Sequence, residues 1–157
     1  MAQGLMYTAR FENVSITDAA QDIWELVTGN VGVLVHWIKL SFTPTITSGV
    51  AQDVRGRLLL CERSTTGSGG TAVTANGVHP RNTVAALTTC TRTVTTPGTI
   101  GDVKWADGFS IIVPYEIIFT PDMRVPIQAS SGRLCLNLVA GLGAAYNASS
   151  TICFEEF

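Results

Sequence analysis

Helical periodicity is almost missing from this chain, while two-residue alternation recurs along it. Met6 to Val14 sets Tyr7, Ala9 and Phe11 against Thr8, Arg10 and Glu12. Successive side chains of a strand point to opposite faces, so this segment reads as a half-buried strand. Asp22 to Thr28 divides in the same way, with Ile23, Glu25 and Val27 opposite Trp24 and Leu26. Val31 to Thr43 is a long apolar strand with Val33, Val35 and Trp37 on one side, closed by Pro44 and Ser48-Gly49. Gln52 to Arg63 changes face midway, which calls for a one-residue bulge.

Further strands follow after a Thr/Ser/Gly loop, Thr65 to Thr71, and the turn dipeptide Asn76-Gly77. Leu87 to Thr96 is a Thr-rich strand ended by Pro97-Gly98, and Val103 to Trp105 is a short one. Phe109 to Thr120 is long and apolar, but Pro114 cannot donate to a ladder and marks an edge or a bulge. Arg133 to Ala140 alternates, Gly141 to Ser150 reads as a loop, and Thr151 to Glu156 as a closing strand. The 20 threonines, with abundant Val and Ile, reinforce the β reading. Ala19 to Val27 and Asn82 to Leu87 offer at most a turn or two of helix, short of about ten residues.

The pattern predicts an all-β chain, a jelly-roll-like antiparallel β-sandwich or barrel of about eight strands. An immunoglobulin-like sandwich fits less well, because no Cys…Trp…Cys framework is evident. At 157 residues one domain is expected, 7–157, preceded by an N-terminal arm, 1–6.

Charge limits the function. Only 14% of residues are charged, where about 25% is usual, and Lys39 and Lys104 are the only lysines. A surface so poor in charge is weakly protected against association. A membrane would explain this too, but no run of 18 or more apolar residues exists to form a spanning helix. Met1 to Val14 lacks the basic and apolar regions of an export signal, so synthesis in a cytoplasm is expected. Net charge is −2 without a basic block, and Trp24, Trp37 and Trp105 do not interleave with basic residues, which argues against nucleic-acid binding.

No catalytic constellation is legible. His36 and His79 stand far apart, one in a strand and one before Pro80, unlike a cupin metal set. Gly67-Ser68-Gly69-Gly70 lacks the strand-to-helix context of a nucleophile elbow. Glu155 and Glu156 are strand neighbours on opposite faces and cannot share a substrate. Cys61, Cys90, Cys135 and Cys153 lack zinc-ligand spacing and read as reduced core residues, with a Cys135–Cys153 disulfide open after release into an oxidising medium. No enzyme activity, metal, cofactor, small-molecule substrate, nucleic-acid or membrane partner is therefore expected. The chain reads as a subunit of an assembly, with Trp105 exposed toward a partner.

Several segments carry a resemblance. They are YTARFENVSITDAAQDIWEL from Tyr7, RLLLCERSTTGSGG from Arg57, FTPDMRVP from Phe119, SGRLCLNLVAG from Ser131 and the closing TICFEEF. Together they resemble small virion proteins of tailed bacteriophages, and in size and β content the chain is similar to jelly-roll trimers that decorate, or cement, capsids. The resemblance does not extend over Val73 to Thr99. It implies a homotrimer on the capsid exterior, in contact with the major capsid protein. Within that implied function, Gln3, Leu5, Met6 and Tyr7 are expected at the capsid contact, and Thr89, Thr91 and Thr93 at the trimer interface. The alternative function is a receptor- or glycan-binding knob of a phage head or tail fibre.

Overall fold

A computed structural model describes residues 4–43, 46–47, 50–51 and 53–157. Among the described residues fourteen strands appear in chain order. They are β1 (Leu5–Ile16), β2 (Gln21–Val27), β3 (Val33–Thr43), β4 (Ile46–Thr47), β5 (Val50–Ala51), β6 (Arg55–Arg63) and β7 (Thr71–Val73). Then come β8 (Asn76–Gly77), β9 (Thr89–Val94), β10 (Ile100–Ser110), β11 (Tyr115–Ile118), β12 (Val125–Ile127), β13 (Arg133–Leu138) and β14 (Tyr146–Glu156). The helical element among the described residues is a single 3-10 turn, Pro121–Met123.

Two antiparallel sheets form a sandwich. One runs β11-β3-β14-β1-β8, with β12 also on β3, and the other β10-β6-β13-β2-β9-β7. Eight of the strands follow jelly-roll order: β1, β3, β11 and β14 build one sheet, β2, β6, β10 and β13 the other, and the chain crosses between them repeatedly. Residues 71–94 are an insertion into this plan. They add β7 and β9 beside β2 and β8 beside β1, which closes one side of the sandwich.

The inner faces supply the core. Tyr7, Ala9 and Phe11 of β1 and Ile152 and Phe154 of β14 meet Trp24, Leu26, Leu58, Leu60, Leu134 and Leu136 of the opposite sheet. Phe11 and Trp24 pack ring to ring at 5.1 Å across the layers. Trp24 is fully buried, so its indole N–H needs an acceptor. It donates to Ser150 Oγ at 2.8 Å, and Ser150 donates onward to the Lys39 carbonyl at 2.6 Å.

Several boundaries differ from the sequence reading. Of the expected arm 1–6, Leu5 and Met6 already pair with Glu156 and Glu155, while residues 1–3 lie outside the described residues. The bulge expected in 52–63 lies in the partner strand, because β6 keeps even register with β13 while β10 slips twice against it between Ile100 and Trp105. Phe109 to Thr120 is not one strand. It is the end of β10, a turn at 111–113, and β11. The expected loop 141–150 contributes its second half to β14, where Tyr146 to Ser150 pair with β1 and β3. Trp37 is half-buried rather than a core residue, because the extra residue His36 in β3 turns it to the outer face beside Cys153.

Candidate partner-contact surface

The side of the sandwich opposite the insertion is open. There β10 is the last strand of one sheet and β11 the last of the other. Trp105 occupies an inward position of β10, opposite Leu60, but the four-residue β11 is too short to roof it. Its ring meets Phe119 edge-on at 6.5 Å and remains 40% exposed. Deeper in, Phe109 stacks on Phe42 at 5.3 Å and meets the edge of Tyr115 at 6.5 Å. Between the two edges lies a cleft of about 340 Å³, lined by Trp105, Asp107, Tyr115, Ile117, Phe119 and Met123 among others. Ile118 (66% exposed) and Met123 (58%) belong to its lining, and Ile112 and Val113 are exposed in the turn before β11. Burial, with Asp107 adding, pushes the Tyr115 hydroxyl above its usual range.

Both lysines are already committed. Lys104 pairs with Glu62 at 3.0 Å and Asp102 at 3.6 Å, and Lys39 pairs with Glu116 at 2.9 Å. The strand edges are protected against indiscriminate pairing by the irregular register of β10, by Pro114 ahead of β11 and by Pro126 within β12.

The sequence-predicted contact residues fall in different places. Trp105 belongs to the open side and is exposed, while Gln3 lies outside the described residues. Leu5 is exposed and Met6 half-buried at the start of β1, away from Trp105. Tyr7 cannot touch a capsid partner: it is fully buried, stacks on Phe154 at 5.8 Å and donates its hydroxyl to the Val84 carbonyl at 3.2 Å. In β9, Thr89 is exposed and Thr91 half-buried, while Thr93 is buried at φ 50° and unavailable to a trimer interface. That strand is not an edge, because β7 covers it at Cys90 to Arg92. Ile118 and Met123 escaped the sequence reading; Pro114, which marked an edge, was the available signal.

A second region lies on the outer face of the other sheet, where polar groups are sealed in. In β2 the extra residue Ile23 puts Asp22 and Glu25, three apart, on the same face. Cys135 lies opposite Glu25 on one side and Cys61 on the other. Arg63 and Asn137 both donate to Asp22 Oδ1. The Thr/Ser/Gly loop closes over this row: Gly67 N–H donates to Glu25 at 2.9 Å, and Arg63 holds the Gly98 carbonyl at 3.0 Å. A Cβ at Gly67 would collide with Val94 and Glu25. Burial pushes the Glu25 carboxyl up, partly offset by the Gly67 N–H. Burial also raises the Cys61 and Cys135 thiols.

His36 and His79 remain apart. His36 Nε2 sits 3.0 Å from Glu155, while His79 Nδ1 accepts from the Arg81 N–H. Glu155 and Glu156 diverge as expected, Glu156 capping the backbone N–H groups of Leu87 and Thr88. Comparison with protein-family models, with curated proteins and with solved structures finds no match.

Proposed function

We infer that this chain is a structural protein of a virus particle: a decoration protein that binds a mature phage capsid as a homotrimer and bridges major capsid subunits. The observation that carries this reading is the open apolar side of the sandwich. Trp105, Ile118 and Met123 converge there on a chain with little charge to spare. Depletion of charge with aromatic and Met enrichment is the composition of an interface core. Jelly rolls are an architecture of viral capsid domains as well as of lectins and cupins, which agrees with the reading without selecting it. Closed cyclic symmetry is the default for homo-oligomers. A protein that binds only the mature lattice would stabilise it by mass action, and many repeated contacts add through avidity.

The test combines mass measurement in solution with addition of the purified chain to undecorated mature shells. A trimer that binds shells and raises their heat resistance is expected. The double variant Trp105→Ala/Ile118→Asp should weaken association while leaving the fold intact. A monomer at micromolar concentration that leaves shells unchanged would overturn the reading.

The glycan-binding knob draws support from a different feature. A groove of about 640 Å³ crosses the outer face of the β3 sheet, lined by Glu12, Asn13, Lys39, Ser41, Glu116 and Thr151 among others. Its polar side chains, beside Phe11 and Tyr115, would suit the hydroxyl groups and ring face of a sugar, and a glycan array with a Lys39→Ala control separates it from the decoration function.

A further inference from the structure

We propose that Asp22, Glu25 and Cys135 form a buried binding site for a divalent cation of the zinc type. One donor atom from each of the three residues lies within 4.8 Å of the others, and all three residues are buried. In a tetrahedral zinc site the donors stand roughly 3.3–3.8 Å apart, so small side-chain rotations complete the set. A thiolate with two carboxylates is a donor set that zinc accepts, and one that calcium or magnesium would not select.

A second observation points to a ligand independently. Asp22 is fully buried, yet only its Oδ1 is used, by Arg63 and Asn137; Oδ2 has no hydrogen-bond partner. A buried carboxylate oxygen without a partner is costly. Coordination would satisfy it, and Asn137 would serve as the outer partner that orients the ligand.

Charge balance is compatible with a dication once Cys135 and Glu25 are ionised by binding. Asp22, Glu25 and an ionised Cys135 carry three negative charges against the one positive charge of Arg63. A dication brings the buried group to neutrality, the state that burial favours. On binding, the Cys135 thiol releases its proton to solvent and the sulfur bonds the metal. The roof of Gly67 to Gly70 would then shut out bulk solvent and leave one enclosed water as the fourth zinc ligand, so the metal enters most readily during folding.

The full-length chain is refolded with equimolar zinc, passed over a desalting column with a weak chelator, and its metal content measured. One zinc per chain is expected. Refolding with cobalt instead should give a thiolate-to-metal charge-transfer band. Glu25→Gln, which keeps the side-chain shape, should weaken zinc binding at least about tenfold. Cys135→Ser should abolish the cobalt–thiolate band, and Cys153→Ser, on the other sheet, should leave it intact. Absence of retained metal and of the band in the wild-type chain would overturn the proposal, and this arm needs no variant to fold. A band that survives Cys135→Ser or vanishes with Cys153→Ser would overturn it equally.

Discussion

Replacing Arg63 by Met tests how the sealed row on the outer face is held together. The Arg63 and Asp22 side chains are 4% and 0% exposed, so neither charge has access to bulk water. In Arg63→Met the Asp22 carboxylate keeps only the Asn137 amide, at 2.8 Å. Removing one partner of a buried pair typically costs about 3–5 kcal/mol. The deficit of the variant should therefore be about 4 kcal/mol at pH 7. For a chain of this size each kcal/mol is worth about 2–4 °C in Tm, so a fall of about 8–16 °C is expected at pH 7. Urea unfolding with a chelator present measures the same quantity without any metal contribution. Adding Asp22→Asn to Arg63→Met should recover most of the loss, because the stranded charge is gone. A deficit below about 1 kcal/mol at pH 7, or one that Asp22→Asn fails to relieve, would refute the reasoning.

Two further outcomes are expected. Ser150→Ala removes the acceptor of the fully buried Trp24 N–H and should cost about 1–3 kcal/mol in urea unfolding, whereas a neutral result would mean that the indole finds another partner. Burial pushes the Cys90 thiol up to about 12 and the Cys153 thiol up to about 11, so at pH 8 about a thousandth of Cys153 is thiolate. All four cysteines should then resist alkylation in the native, chelator-treated chain and react together in denaturant; rapid native labelling at any of them would contradict the burial.

The clearest strands were legible because one-sided burial writes period-2 alternation into β1 and most of β3. The length of β10 was not. Residues 100–108 are exposed along an edge, so no buried face imposes alternation, and Gly101, Asp102 and Gly108 read as loop. The first half of β14 was hidden for a related reason: Asn147 to Ser150 have weak strand character, and pairing on both sides with β1 and β3 supplies what propensity does not. The Asp22–Glu25–Cys135 group was invisible to spacing arguments. Cys135 is brought to Glu25 by sheet register, and Asp22 reaches the same face only through the extra residue Ile23.

The scarcity of charge acquires a location in the fold. Asp22, Glu25, Arg63 and Glu156 are buried, and both lysines are engaged in ion pairs, so the exposed surface is poorer in free charge than composition suggests. Free apolar area collects at the open side between β10 and β11. Yet the backbone there is poorly suited to strand-to-strand extension, because β10 slips register twice and prolines flank β11 and interrupt β12. Partner contact should accordingly run through the side chains of Trp105, Ile118 and Met123, as face-to-face docking that can close into a ring. Added β-strands would instead permit open-ended growth. The two modes separate experimentally: docking should be lost in Trp105→Ala/Ile118→Asp and be insensitive to a proline placed at Ala106, and strand addition should show the reverse.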